Sequence, residues 1–282
     1  MDYGLVIFPT TYTPQPAELA VAAEERGFES LWFPEHTHIP ASRESPWPGG
    51  ADLPQEYYDT YDLFVALTAA ASATSKLKVG SGICLVVEHD PIVLAKQIAS
   101  LDQLSGGRFV FGIGGGWNAE EMRNHGTDFK RRWKLMRERV EAMKEIWGHE
   151  QAEYHGEMVD FDPIFSNPKP VQKPHPPIII GGAAPWALKR CVRYCDGWIP
   201  IGIAGDDVLG ALPELRRLAN EAGRDPDTIE VNIFGTMPDP ELIKRYRDAG
   251  IRRCIFSLPP RGREKVMPML DRYTELARSI GA

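Results

Sequence analysis

The sequence predicts a closed (β/α)8 barrel of the TIM type. Short apolar runs of strand character alternate eight times with amphipathic helical runs. Strands alternating with helices imply parallel pairing, because each helix is a crossover. The chain has 282 residues, close to the ~250 typical of such barrels. No linker or low-complexity tract divides it, so residues 1–282 are expected to form a single domain. An open doubly wound sheet is the alternative with the same alternation.

The elements follow in order. The first strand is expected over 3–8, and the first helix after it, with Thr13 as cap, Pro14 at its first position and Gly27 as its stop. The second strand covers 29–33. A helix over 61–74 leads to the third strand, 77–86. Asp90 caps the next helix ahead of Pro91; Leu94, Ile98 and Leu101 form its buried stripe, and Gly106-Gly107 ends it. The fourth strand is 108–113. A long helix follows, with Trp133, Met136, Val140, Met143 and Trp147 at helical spacing, a core stripe. The fifth to eighth strands are 177–180, 197–201, 229–234 and 251–257, and the last helix runs over 263–280.

Two excursions interrupt the repeat: 36–59 after the second strand and 148–176 before the fifth, both rich in proline. Long irregular insertions in compact domains are usually functional or disordered. The first leaves the C-terminal end of a strand, the face on which barrel active sites form.

Composition excludes several classes. A formal charge of −7 with no basic run argues against nucleic-acid binding. The most apolar window, 63–73, is too short to span a bilayer. Met1-Asp2-Tyr3-Gly4 carries no basic n-region, so a secretory signal is not expected. Cys84, Cys191, Cys195 and Cys254 form no CxxC pair and are expected to be reduced core thiols in a cytoplasmic protein.

The strand ends carry the chemistry. The second ends in Pro34-Glu35-His36-Thr37-His38, the third in Gly80-Ser81-Gly82-Ile83-Cys84, and the fourth in Gly112-Ile113-Gly114-Gly115-Gly116-Trp117-Asn118. The run Ile178-Ile179-Ile180-Gly181-Gly182-Ala183-Ala184-Pro185 reads as a buried strand, a glycine pair and a helix start. Such a turn lets a phosphate approach the backbone and meet helix N–H groups; a tight turn alone also explains the glycines. The glycine-rich ends would make a flat surface for a planar ring. A histidine at a strand end suits cofactor binding or proton donation, and His36 is the first candidate; His38 and His89 suit a surface loop equally well. Glu35, His36 and His38 offer poor spacing for a metal, and no third ligand is evident, so no metal site is expected. No GxSxG, Walker A or complete GxGxxG is present.

Taken together, Leu31-Trp-Phe-Pro-Glu-His-Thr-His-Ile-Pro40, Gly80-Ser-Gly-Ile-Cys84 with His89-Asp-Pro91, Leu101-Asp-Gln-Leu-Ser-Gly-Gly-Arg-Phe109, Gly112-Ile-Gly-Gly-Gly-Trp-Asn118, Pro176-Pro-Ile-Ile-Ile-Gly-Gly182 and Asp196-Gly-Trp198 resemble the bacterial luciferase-like family, specifically its F420-dependent oxidoreductase branch. These pieces run from the N-terminus to about residue 202 in the family's order. Beyond it the match is mainly the strand–helix pattern.

The resemblance implies a barrel with a cofactor across its C-terminal face, and a homodimer. It would set Glu35 and His36 near the reactive edge of the ring and Gly82-Ile83 behind it as a bulge with a cis peptide. Gly115, Gly116 and Trp117 would border the ring, and Gly181, Gly182 and Ala183 would hold the phosphate. Related sugar-phosphate dehydrogenases carry a glutamate about where Trp117 stands, which points here to a more apolar small-molecule substrate. The expected activity is hydride transfer with coenzyme F420, with His36 as proton source and Glu35 as its orienter or an alternative donor. An FMN-dependent monooxygenase, or a non-catalytic protein that binds either cofactor, would suit the same barrel.

Overall fold

The structure is a computed structural model that describes residues 1–50, 52–202 and 207–281. Eight parallel strands close into a barrel in the order β1 (Asp2–Val6), β10 (Arg253–Ser257), β9 (Glu230–Phe234), β8 (Gly197–Ile199), β7 (Ile178–Gly181), β4 (Phe109–Ile113), β3 (Lys78–Ser81) and β2 (Ser30–Phe33). The closed sheet leaves no edge and decides against the doubly wound alternative. The helices α1 (Pro16–Glu25), α3 (Leu63–Ser72), α4 (Pro91–Ser105), α6 (Arg132–Gly148), α7 (Trp186–Tyr194), α8 (Val208–Glu221), α9 (Pro240–Asp248) and α10 (Arg263–Ile280) connect successive strands, with α10 last. Two short helices, α2 (Glu56–Asp59) and α5 (Ala119–Asn124), lie in connections after β2 and β4.

Two cores result. The larger lies between strands and helices, where Leu94, Ile98, Met136, Val140 and Trp147 are buried as their spacing predicts, while Trp133, expected in the same stripe, is only partly buried against this core. The smaller fills the barrel: Val6, Trp32, Val110, Ile179, Ile199 and Ile255, with Ile83 and Phe234 against them. Trp32 is wholly buried, and its indole N–H donates to Ser30 Oγ at 2.9 Å. The register sets Trp32 beside Gly80 on β3 and Val6 on β1. A Cβ at Gly80 would lie 2.4 Å from the Trp32 ring, and one at Gly4 2.6 Å from Ser30 Oγ. Gly80 is therefore a packing glycine, which corrects its reading as part of a flat surface at the mouth.

At the N-terminal end of the barrel, Arg253 is 1% exposed at its side chain. It donates to both Glu29 oxygens at 2.6 Å and to Asn232 Oδ1 at 2.6 Å. Burial works against the Glu29 carboxylate, yet the Arg253 guanidinium outweighs it and holds the pKa at about 2. One cation, with a bond from each guanidinium nitrogen, thus ties the residue that enters β2 to β9 and β10.

Some boundaries differ from the sequence expectation. α1 starts at Pro16 with Gln15 at its cap, not at Pro14; Thr13 Oγ1 instead accepts from Thr10 N–H, closing a local turn. The third strand stops at Ser81 because the chain then turns through Gly82, and Val86–Glu88 forms a 3-10 turn. The second insertion contains an antiparallel hairpin, β5 (Gln151–His155) with β6 (Asp160–Phe165). Both strands are mostly exposed and Pro163 lies within β6, so their apolar pattern is weak. All four cysteines are free and buried. Among the described residues no helix is long and apolar enough to cross a membrane.

Gly80→Ala is expected to destabilise the barrel by about 1–3 kcal/mol, the usual cost of overpacking a filled core. Urea denaturation of parent and variant reads this directly; an unchanged midpoint would mean that Trp32 can yield.

Candidate active site

The C-terminal strand ends surround a cavity of about 750 Å3. Its walls are mostly apolar: Phe8, Ile83, Leu85, Trp117, Trp133, Ile199, Phe234 and Leu258. The first insertion supplies Trp47, Pro54, Glu56 and Tyr57, so it covers the mouth. It is fastened there by Ser45, whose N–H donates to Glu120 Oε1 at 2.8 Å and whose hydroxyl bonds Glu120 Oε2.

Of the residues singled out in the sequence, Glu35, His36, Gly82, Ile83, Gly115, Gly116, Trp117, Gly181 and Gly182 line this one cavity. Ala183 lies outside it, on the exposed turn before α7. The Gly82–Ile83 peptide is cis. A Cβ at Gly82 would meet Phe234 at 2.6 Å, one at Gly114 would meet Ile83 at 2.3 Å, and one at Gly115 would meet Trp133 at 2.7 Å. These glycines let larger side chains present their faces to the cavity.

The Gly181–Gly182 turn differs. Gly182 has φ +113° and a Cβ there would find only Ala187 at 3.7 Å, so the turn is open. Trp198 Nε1–H donates to Gly182 O at 2.8 Å and fixes it. The α7 N-terminus has no side-chain cap. Small residues, positive φ and uncapped N–H groups fit a phosphate.

His36 and Glu35 separate into two pairs. His36 Nδ1 lies 2.8 Å from Glu121 Oε2, with side chains 7% and 1% exposed. Glu35 does not touch His36 in this pairing; its Oε2 accepts from Leu85 N–H at 2.5 Å and its Oε1 lies 2.9 Å from His89 Nε2. Burial opposes charge on Glu35, but His89 and the Leu85 N–H overcome it and hold the carboxyl below its usual range. Burial likewise opposes protonation of His89, and Glu35 reverses it and raises the imidazole. Glu35, Cys84 and His89 bring ligand-type atoms within 4.8 Å of one another. Burial, then the Glu35 charge, pushes the Cys84 thiol well up, so the cluster holds a hydrogen-bonded ion pair beside a protonated thiol.

Behind these pairs lies Glu88, buried with neither oxygen hydrogen-bonded among the described residues. Burial, then the charges of Glu121 and Glu35, pushes its pKa up to about 9. His125 Nε2 lies 3.7 Å from Glu88 Oε2 and 2.8 Å from Thr37 Oγ1; burial lowers its pKa. A neutral acid beside a neutral imidazole is consistent. His38 joins the same polar chain through Thr37 and Asn124 and does not line the cavity.

Glu121 and Glu88 escaped the sequence reading. The missed signal is Trp117-Asn-Ala-Glu-Glu121: an Asn with acids in the following turn is a helix start. Asn118 Oδ1 indeed accepts from Glu121 N–H at 3.3 Å, and that turn aims Glu121 at His36.

Glu88 makes stability pH-dependent. Its folded pKa of about 9 exceeds the unfolded 4.5, so between these values the folded state binds the extra proton. Stability from this group is therefore full below the unfolded value and falls as pH rises, by at most about 1.4 kcal/mol per unit. Glu88→Gln is expected to flatten that slope and raise the melting temperature at pH 8 more than at pH 5. Equal shifts at both pH values would mean that Glu88 is ionised in the fold.

Comparison with known proteins agrees with this geometry. The family model for luciferase-like monooxygenases matches residues 9–238. An uncharacterized Mycobacterium tuberculosis protein is 38% identical over 278 residues, covering 96% of this chain and 97% of its own. An FMNH(2)-dependent dimethylsulfone monooxygenase of Pseudomonas putida is 32% identical over 176 residues, 61% of this chain and 48% of its own. Among solved structures, a Streptomyces bottropensis monooxygenase, RslO1, superposes with TM-score 0.81 at 21% identity over the whole of both chains. An F420-dependent secondary alcohol dehydrogenase superposes with TM-score 0.77 at 20% identity, again over the whole of both. With 230 consecutive residues matched, from Pro9 in the β1–α1 loop to Pro238 after β9, the chain belongs to the luciferase-like monooxygenase family.

Proposed function

We propose that this chain is an oxidoreductase that holds coenzyme F420 in the cavity and mediates hydride transfer with a small, largely apolar organic substrate. The observation that carries it is an apolar cavity with one buried, carboxylate-held histidine on its wall, His36 with Glu121. When bound, F420 supplies a ring carbon that gives or accepts hydride.

The chain's own residues do the rest. Gly181 and Gly182 would hold the phosphate, and Ala183 would extend that turn outside the cavity. Gly82, Ile83, Gly115, Gly116 and Trp117 would border the ring. Phe8, Trp47, Tyr57 and Leu258 enclose the substrate and keep water away. Glu121 accepts from His36 Nδ1–H, which leaves Nε2 free to exchange a proton with the substrate. Glu35, held ionised by His89, is an acceptor at neutral pH and not a donor. The orienting role expected of Glu35 thus passes to Glu121 in this reading. A homodimer and a cytoplasmic location belong to the same reading, as does one domain over residues 1–282.

An FMN-dependent monooxygenase is the second reading, favoured by the Pseudomonas putida relative. Fluorescence titration of the apoprotein with F420 and with FMN separates the two; tighter binding of FMN would overturn the F420 reading. His36→Ala is expected to lower kcat by roughly 10²–10⁴-fold, the usual worth of a positioned acid or base, with cofactor affinity little changed. Glu121→Gln should lower kcat less and shift its pH profile. Unchanged kcat in His36→Ala would move the proton transfer elsewhere.

A further inference from the structure

Trp133 borders two spaces. It lines the cavity together with Gly115, Gly181 and Gly182. It also borders a second depression of about 300 Å3 between α6 and α7, with Lys134, Arg137, Trp186, Lys189, Arg190 and Arg193 around it. The Arg190 guanidinium lies 3.6 Å from the Trp133 ring centroid, and that of Arg132 5.0 Å from it. Two like charges on one indole repel, and both are partly buried, so burial lowers each pKa, with Arg190 adding to the effect on Arg132.

The acids nearby are committed elsewhere. Lys134 pairs with Glu157 and faces Glu138 at 4.0 Å; Arg137 faces Glu138 and Glu141 at 3.9 and 3.6 Å. None of Arg132, Lys189, Arg190 and Arg193 forms an ion pair among the described residues. Among the described residues, buried polar atoms near the groove also lack hydrogen-bond partners: Arg132 Nε and the hydroxyl of Tyr194. Three uncompensated cations in the groove, with Arg132 beside the Trp133 ring and two orphaned donors, on a chain of net charge −7 call for an anion with several charges.

We propose that this groove binds a polycarboxylate extension of the cofactor, the part that continues beyond its phosphate. FMN ends at its phosphate and has nothing to place there. F420 continues into a lactyl and oligoglutamyl chain with a carboxylate on each residue. The turn at Gly181–Gly182 leads into α7, whose following turns carry Lys189, Arg190 and Arg193, so these cations belong to the helix that starts at the proposed phosphate site. The inference rests on the F420 reading above and adds the part of the cofactor by which the protein would tell F420 from FMN.

The test is fluorescence titration of the apoprotein with three probes: F420 bearing several glutamates, its tailless form (ring, ribityl phosphate and lactate only) and FMN. Parent protein is compared with Arg132→Gln/Arg190→Gln and, in case that variant folds poorly, with Lys189→Glu/Arg193→Glu on the exposed side. The tailed form should bind the parent about tenfold more tightly than the tailless form, as expected of several partly exposed charge pairs. Raised salt should shrink that gap, and either variant should abolish it while leaving affinity for the tailless form within about twofold, since phosphate and ring contacts are untouched. Equal affinity of parent for the two F420 forms, or a gap that survives in both variants, would overturn the tail groove and leave the F420 reading standing. Binding of FMN with none of the tailless F420 would overturn the F420 reading, and the groove's assignment with it.

Discussion

The wedge of Trp32 inside the barrel is the constraint on which the rest depends. An indole at that position needs neighbours without side chains, and Gly4 and Gly80 supply them on the flanking strands. With the interior filled to that level by Trp32, Val110, Ile179 and Ile255, Ile83 and Phe234 close it toward the C-terminal face. The cavity is what remains above that layer. A barrel core is a stack of side-chain layers rather than a pore, and the height of the last layer sets the depth at which a ligand would stop.

Electrostatics divide the site into compartments. On one side, Glu35, Glu88 and Glu121 share a buried region in which their charges cannot all be tolerated. The structure resolves this by pairing Glu35 with His89 and Glu121 with His36, and by leaving Glu88 protonated. The opposite arrangement holds at the barrel's N-terminal end, where Arg253 is buried but held by three hydrogen bonds to Glu29 and Asn232. Each guanidinium nitrogen of that ion pair donates to a fixed acceptor, the geometry in which burial of charge is tolerated. Neutralising one acid is the cheaper solution where no cation is at hand, and it keeps a proton within the group of carboxylates that backs His36.

Most of the scaffold was legible in the sequence because barrel strands are buried on both sides and read as unbroken apolar runs. Ile178-Ile179-Ile180 is one such run, and elsewhere Pro91 after Asp90 marks the start of α4. The hairpin of β5 and β6 was not legible, since only one of its faces meets α6 and its pattern is diluted by Pro163. In the site, the strand-end residues were legible individually, but their pairings were not. Glu35 and His36 are neighbours in sequence, and extended backbone sends adjacent side chains to different sides, so each took a partner from a later strand-to-helix connection: His89 from 54 residues on and Glu121 from 85 residues on. Such pairings depend on register and helix start, which spacing along the chain does not encode.

The glycines show why one residue type resists a single reading. Gly80 and Gly4 make room for the inward Trp32 unit; Gly82, Gly114 and Gly115 make room for Phe234, Ile83 and Trp133 at the cavity wall; among the glycines that line the cavity only Gly182 combines positive φ with open space. The wall glycines therefore act through the aromatic and aliphatic faces they allow to advance, and the cavity owes its apolar character to them indirectly. Trp133 makes the point most clearly. Held against Gly115 on the inside and under Arg190 on the outside, its ring is a partition between an apolar chamber and a cationic groove. A ligand with an uncharged ring at one end and negative charge at the other would satisfy both sides of that partition at once, and neither end would be at home in the other's compartment.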